Sequence, residues 1–166
     1  MLRTDGRIRG MALQDRLVSV LDELFRKGHV QFRKLRGAGP PYKFWKWATD
    51  RSNALCLYYE FPSRNGKTTN RKRVPVDEIL AALREIVSEG CLTRKAFRNL
   101  CPVAESAGPC GFAVVGGCLE LLGIARQSGR QGAFELTDRK RAHRLLEQRD
   151  LSSSPVLVDP EWRFLP

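Results

Sequence analysis

The apolar residues of this chain change their spacing twice, and that change does most to limit the folds open to it. Over residues 11 to 27, Leu13, Leu17, Val20, Leu21, Leu24 and Phe25 recur at helical spacing and Gly28 closes the pattern, which predicts an amphipathic helix. After His29 the texture becomes short apolar and aromatic runs, His29 to Arg36, Tyr42 to Thr49 and Ala54 to Phe61, bounded by Gly, Pro, Asp50 and Asn53, which predicts strands. Asp50 to Asn53 reads as a turn between two antiparallel strands. A basic loop from Ser63 to Arg73, containing the turn pair Asn65-Gly66, leads to a third short strand at Val74-Pro75-Val76. From Asp77 the helical period returns: Ile79, Leu80, Leu83, Ile86 and Val87 share a face, Asp77 is placed to cap it and Gly90 to stop it.

Beyond Gly90, Thr93 caps a short helix through Leu100 that Pro102 ends, and a loop runs from Val103 to Pro109. Gly111 to Leu122 fits a buried helix despite three glycines. A hairpin follows, Gly123 to Gln127 and Ala133 to Thr137 around a Ser128 to Gly132 turn, and then a charged helix over 138 to 149. The expected fold class is α+β: an N-terminal helix and a small antiparallel β-meander, then a mainly helical second half. The layout is a disordered basic arm at 1–10, a basic helix plus three-stranded sheet at 11–76, a helical unit at 77–149, and a Ser- and Pro-rich tail at 150–166.

Charge separates the two halves more sharply than structure does. Of the formal net charge of +11, residues 1 to 76 carry all, with 17 Lys and Arg against 6 Asp and Glu, while residues 77 to 166 hold 12 of each. A basic surface concentrated in this way attracts polyanions, so nucleic acid is the expected partner, duplex DNA before RNA. No apolar run is long enough to span a membrane and no apolar signal core follows the N-terminus, so a cytoplasmic protein without membrane contact is expected. The five cysteines, Cys56, Cys91, Cys101, Cys110 and Cys118, lack paired CxxC spacing and read as reduced thiols that pack as small apolar residues, without metal or cofactor.

The order helix, short helix, helix, two-stranded hairpin over residues 77–137, with the junction Leu121-Leu-Gly-Ile-Ala-Arg-Gln-Ser-Gly-Arg-Gln-Gly-Ala-Phe-Glu-Leu-Thr137, resembles a winged helix-turn-helix. The resemblance implies that the third helix enters the major groove and the wing touches the backbone. The third helix departs from that pattern, because Glu120 is its one charged side chain and base edges are read by Arg, Lys, Asn, Gln or Ser. What it offers is Ala113, Gly116, Gly117 and Glu120 on one face of small residues, a surface for docking a protein partner or a second copy of the chain.

The candidate nucleic-acid contacts follow the charge. Arg33, Lys34 and Arg36 precede the Gly-Pro break; Lys43 and Lys46 interleave with Tyr42, Phe44, Trp45 and Trp47; Arg64, Lys67, Arg71, Lys72 and Arg73 crowd the basic loop. Arg94, Lys95 and Arg98 of the short helix and Arg130 of the wing complete the set. Regular alternation puts Phe44 and Lys46 on one strand face and Trp45 and Trp47 on the other, one aromatic face going to the core and the remainder free for unpaired bases. His29 and His143 lie far apart, and no HExxH, GxxxxGK[ST] or GxSxG occurs, so a non-enzymatic DNA-binding protein, a transcription regulator or accessory factor, is expected. The alternative is a structural subunit of a larger nucleoprotein complex that meets DNA or RNA only when assembled.

Overall fold

The computed structural model describes residues 2–35, 40–63, 67–128 and 132–147, with side chains from residue 13 onward. Helix α1 spans Leu2–Arg26, so its backbone is helical through the stretch whose composition suggested a disordered arm. Extending a formed helix costs less than starting one, because nucleation is the expensive step. Leu13, Leu17, Leu21 and Phe25, four residues apart, are its buried stripe. Gly28, at φ 100°, ends the turn that follows.

The N-terminal sheet has four strands rather than three, β1 (Gln31–Phe32), β2 (Tyr42–Thr49), β3 (Leu55–Pro62) and β4 (Thr69–Pro75), antiparallel in the order β1-β2-β3-β4. At one edge is β1, only two residues long and lying within the His29 to Arg36 run. At the other edge, β4 takes up most of what the sequence presents as a basic loop: Asn70 to Lys72 oppose Phe61 to Tyr59, and Arg73 opposes Tyr58. The inner face, with Phe44, Trp47, Leu57, Tyr59 and Val74, packs against the helices. Phe25 of α1 stacks on Phe44 with ring centroids 4.0 Å apart and a 12° interplanar angle. Trp47 donates its Nε1 hydrogen to Asp22 Oδ1 at 3.2 Å, which satisfies the indole's one polar atom.

Strand β4 runs without a turn into α2 (Val76–Glu89), with Pro75 at the N-cap position and no side-chain cap; Asp77 instead accepts a hydrogen bond from Gln14 of α1. Ile79, Leu83 and Ile86 are fully buried, and Gly90 at φ 79° stops the helix as its position implied. Then come β5 (Cys91–Leu92), α3 (Arg94–Leu100), α4 (Pro102–Ser106), α5 (Pro109–Leu121), β6 (Ala125–Gln127), β7 (Phe134–Leu136) and α6 (Arg139–Leu146). Strands β5, β7 and β6 form a second antiparallel sheet in that order. Thr93 Oγ1 caps α3 by accepting from Ala96 N–H at 3.1 Å. Helix α4 occupies the expected loop: Pro102, which ends α3, sits at the first position of the next helix, where its missing N–H costs nothing. Glu78 of α2 supplies the cap, its Oε1 accepting from Val103 N–H at 2.7 Å and Ala104 N–H at 3.0 Å. One contiguous core, from Leu13 of α1 to Leu145 of α6, runs through both halves.

Candidate nucleic-acid interface

Pairing in the N-terminal sheet decides which basic side chains share a surface. Lys43 opposes Glu60, and Glu60 opposes Arg71; Lys46 opposes Tyr58, and Tyr58 opposes Arg73. Directly opposite residues project to the same side, so Lys43, Lys46, Arg71 and Arg73 converge on the outer face of the sheet. Tyr58 and Glu60 complete that face. A bulge between Phe44 and Lys46 inserts Trp45 as an extra residue and shifts the alternation. This corrects the expected faces: Phe44 shares the inner face with Trp47, ring centroids 5.5 Å apart, and Lys46 is outside with Trp45.

Trp45 is the centre of the outer face. At 37% exposure it is the one large hydrophobic side chain among the described residues that stands open to solvent. Arg71 holds its guanidinium carbon 3.9 Å from the centroid of the indole, and Lys46 Nζ lies 4.3 Å away. Tyr58 meets the ring edge-on at 6.2 Å. Two carboxylates oppose the cations: Arg71 Nε donates to Glu60 Oε1 at 3.2 Å and Arg73 Nε to Asp50 Oδ2 at 3.3 Å. The Asp50 carboxyl is lowered to about 2, first by the Ser52 hydroxyl and then by the Ala54 backbone N–H, so it stays anionic at every physiological pH. Among the described residues Lys43 and Lys46 have no carboxylate partner.

The remaining candidates go elsewhere. Lys72 projects to the inner side of β4, away from the outer face where Lys43, Lys46, Arg71 and Arg73 converge. Its ammonium lies 4.6 Å from the Phe61 ring centroid, donates to the Ala107 carbonyl and reaches Cys110 Sγ at 3.7 Å, so it ties β4 to the turn before α5. Arg33 pairs with Glu120 of α5 at 3.0 Å, and Lys34 lies 5.7 Å from the Tyr42 ring centroid. Lys67 is exposed at the β3–β4 connection. Arg94 and Arg98 both pair with Glu105 of α4, at 3.2 and 3.4 Å, and Arg94 also covers Phe112 at 5.2 Å, whereas Lys95 is exposed. Arg36, Arg64 and Arg130 lie outside the described residues.

The small-residue face of α5 is filled from within the chain, which corrects its expected role as a docking surface. A Cβ at Gly116 would overlap the Phe134 ring of β7, and one at Gly117 would stand 2.7 Å from Phe32 Cδ1 of β1. Ala113 is 3% exposed, and Glu120 Oε1 accepts from Gln127 N–H at 3.1 Å. The two glycines therefore let one aromatic from each sheet reach the helix axis closely, the use of glycine that requires no side chain at all. Buried in this way, α5 has no free face along these residues for a major groove.

Cys56, Cys101 and Cys118 are buried, Cys91 and Cys110 partly so, and all five thiols are free. Burial pushes the Cys101 thiol up to about 12. Among the described residues no group of three or more His, Cys, Asp or Glu gathers as metal ligands, and no helix is long and apolar enough to cross a membrane. Compared with protein-family models, curated proteins and solved structures, the chain matches none.

Proposed function

We propose that the protein is a non-enzymatic nucleic-acid-binding factor, a regulator or accessory protein, whose contact surface is the outer face of the β1–β4 sheet. The observation that carries this reading is the convergence of Lys43, Lys46, Arg71 and Arg73 from two strands around an exposed Trp45. Cations on a rigid sheet track phosphates at little further ordering cost, and the functional groups assembled there bind rather than transfer protons. The covering of α5 leaves the basic sheet, and not the third helix, as the candidate contact to nucleic acid.

We read residues 76–136 as a variant of the winged helix-turn-helix. The order α2, β5, α3, α4, α5 and the β6–β7 hairpin, with β5 completing a three-stranded sheet, supports this reading. In this variant α5 serves as a brace for the basic sheet. One feature favours the alternative, a subunit of a nucleoprotein complex: Arg71 and Arg73 are already paired with carboxylates, which weakens what the isolated chain offers to phosphate.

Fluorescence anisotropy of labelled nucleic acid against the full chain, over a salt series, tests the proposal. Four phosphate contacts predict a log–log salt slope of about −3 to −4, and changing Lys43, Lys46, Arg71 and Arg73 together to Gln should flatten it to near zero. An unchanged slope in the folded variant would move the contact surface elsewhere. Absence of binding by the isolated chain at low salt would favour the subunit reading.

A further inference from the structure

We infer that the outer face of the β1–β4 sheet takes single-stranded nucleic acid, with the Trp45 indole as the platform for an unpaired base. The inference rests on the proposed nucleic-acid reading and specifies its substrate. Two observations and one physical argument carry it. The bulge in β2 places the indole on the solvent side of the sheet, edge-on to Tyr58, while Phe44 and Trp47 of the same strand are committed to packing. A base inside a duplex shows only its edges in the grooves, so an exposed ring on a flat sheet gains nothing from it, whereas an unpaired base offers a π face of matching size. And α5 cannot supply groove contacts, because Phe134 and Phe32 occupy its small-residue face.

The neighbours of Trp45 give the exchange its mechanism. In the free protein the indole is shared by Arg71 at 3.9 Å and Lys46 at 4.3 Å. Arg71 is held in place by Glu60, while Lys46 has no carboxylate partner among the described residues. An arriving phosphate draws Lys46 off the ring, which uncovers apolar surface for a base while the cation is paired with the backbone of the same strand. Lys43 and Arg73 lie on either side across the sheet to take neighbouring phosphates. DNA and RNA single strands share this chemistry, since the indole meets the base and the cations meet phosphate.

The test uses the full chain with Trp47→Phe and Trp162→Phe, which leaves Trp45 as the single tryptophan of the three in the sequence. Its fluorescence is titrated with a thymidine deoxy-strand and a uridine strand of about 12 nucleotides and with a duplex of similar length, a span that covers the usual site size. The inference expects quenching by single strands and not by duplex. In the otherwise natural sequence, Trp45→Ala should weaken single-strand binding by about 5- to 150-fold, with Trp45→Tyr recovering part of the loss, and leave duplex binding within about twofold. Whichever strand binds more tightly names the source, DNA or RNA. Salt-dependent binding without quenching and without a Trp45→Ala effect would overturn the platform and leave the nucleic-acid reading intact. Absence of binding to all three probes would overturn both.

Discussion

Helix α5 and the outer face of the N-terminal sheet both look like surfaces in the sequence, one for its small residues, the other for its cations and aromatics. Only the second is a surface in the structure. Apart from Glu120 the helix is apolar around most of its surface, which is the mark of a buried helix; its glycines admit Phe32 and Phe134. The strands alternate, so one face of the sheet is committed to the core and the other cannot be. Small side chains say that something approaches closely; they do not say whether it comes from the same chain. Cations on a sheet carry more information once the register is known, because directly opposite residues share a side.

The sharpest way to break this comparison is to empty the contact on α5. Phe134→Ala should cost about 3 to 5 kcal/mol in urea unfolding, as a buried aromatic does, whereas a loss under about 1 kcal/mol would mean that the helix face is loosely covered. Gly116→Ala should cost about 1 to 3 kcal/mol by overpacking, and much less in the Phe134→Ala background, where the added methyl has room. Additive losses in that cycle would show that Phe134 is not what Gly116 accommodates.

Two carboxylates then contrast the interior with the outer sheet through pH. Burial raises Glu78, so the folded state holds its proton more tightly than the unfolded chain does. The stability linked to it is full below the ordinary value of 4.5 and is lost as pH rises through the raised one. Asp50 has the opposite sign: lowered from 3.8 to about 2, it contributes stability above the higher value that is lost as pH falls through the lower. Unfolding midpoints between pH 2 and 7 should therefore lose acid sensitivity in Asp50→Asn, and lose some of the decline above pH 4.5 in Glu78→Gln. The reverse pattern would mean that the hydrogen bonds to Asp50 and the burial of Glu78 do not govern their titration.

The smallest effects belong to the outer lysines. Lys43→Ala and Lys46→Ala should change stability by no more than about 0.5 kcal/mol while still weakening nucleic-acid binding. A large loss of stability from either would make it a structural residue.

Much of the fold could be read from residues. The stripe of α2, the glycine that ends it, the Thr93 cap and the β6–β7 hairpin all follow local rules. What was hidden depends on partners distant in sequence. Residues 69–73 lack apolar alternation because the outer side of β4 is solvated and its inner side includes Lys72, so they look like a loop until β3 is beside them. The bulge at Trp45 leaves no mark in composition, yet it moves Lys46 to the other side of the sheet from Phe44. Pro102 stops one helix and starts the next, and sequence shows only the stop. At the candidate interface the charge excess falls in the half that carries the outer sheet face and includes four of the residues that converge there, while Tyr58 and Glu60 emerged only from the register.

The direct passage of β4 into α2 has one further consequence. Val74 and Val76, on either side of Pro75, are both fully buried, and the chain offers no linker between its basic and neutral halves. A cut at that junction would leave each fragment with an unfilled core, so neither half should survive as an excised module. The two pieces, expressed separately, should instead find one another and restore the native assembly by fragment complementation.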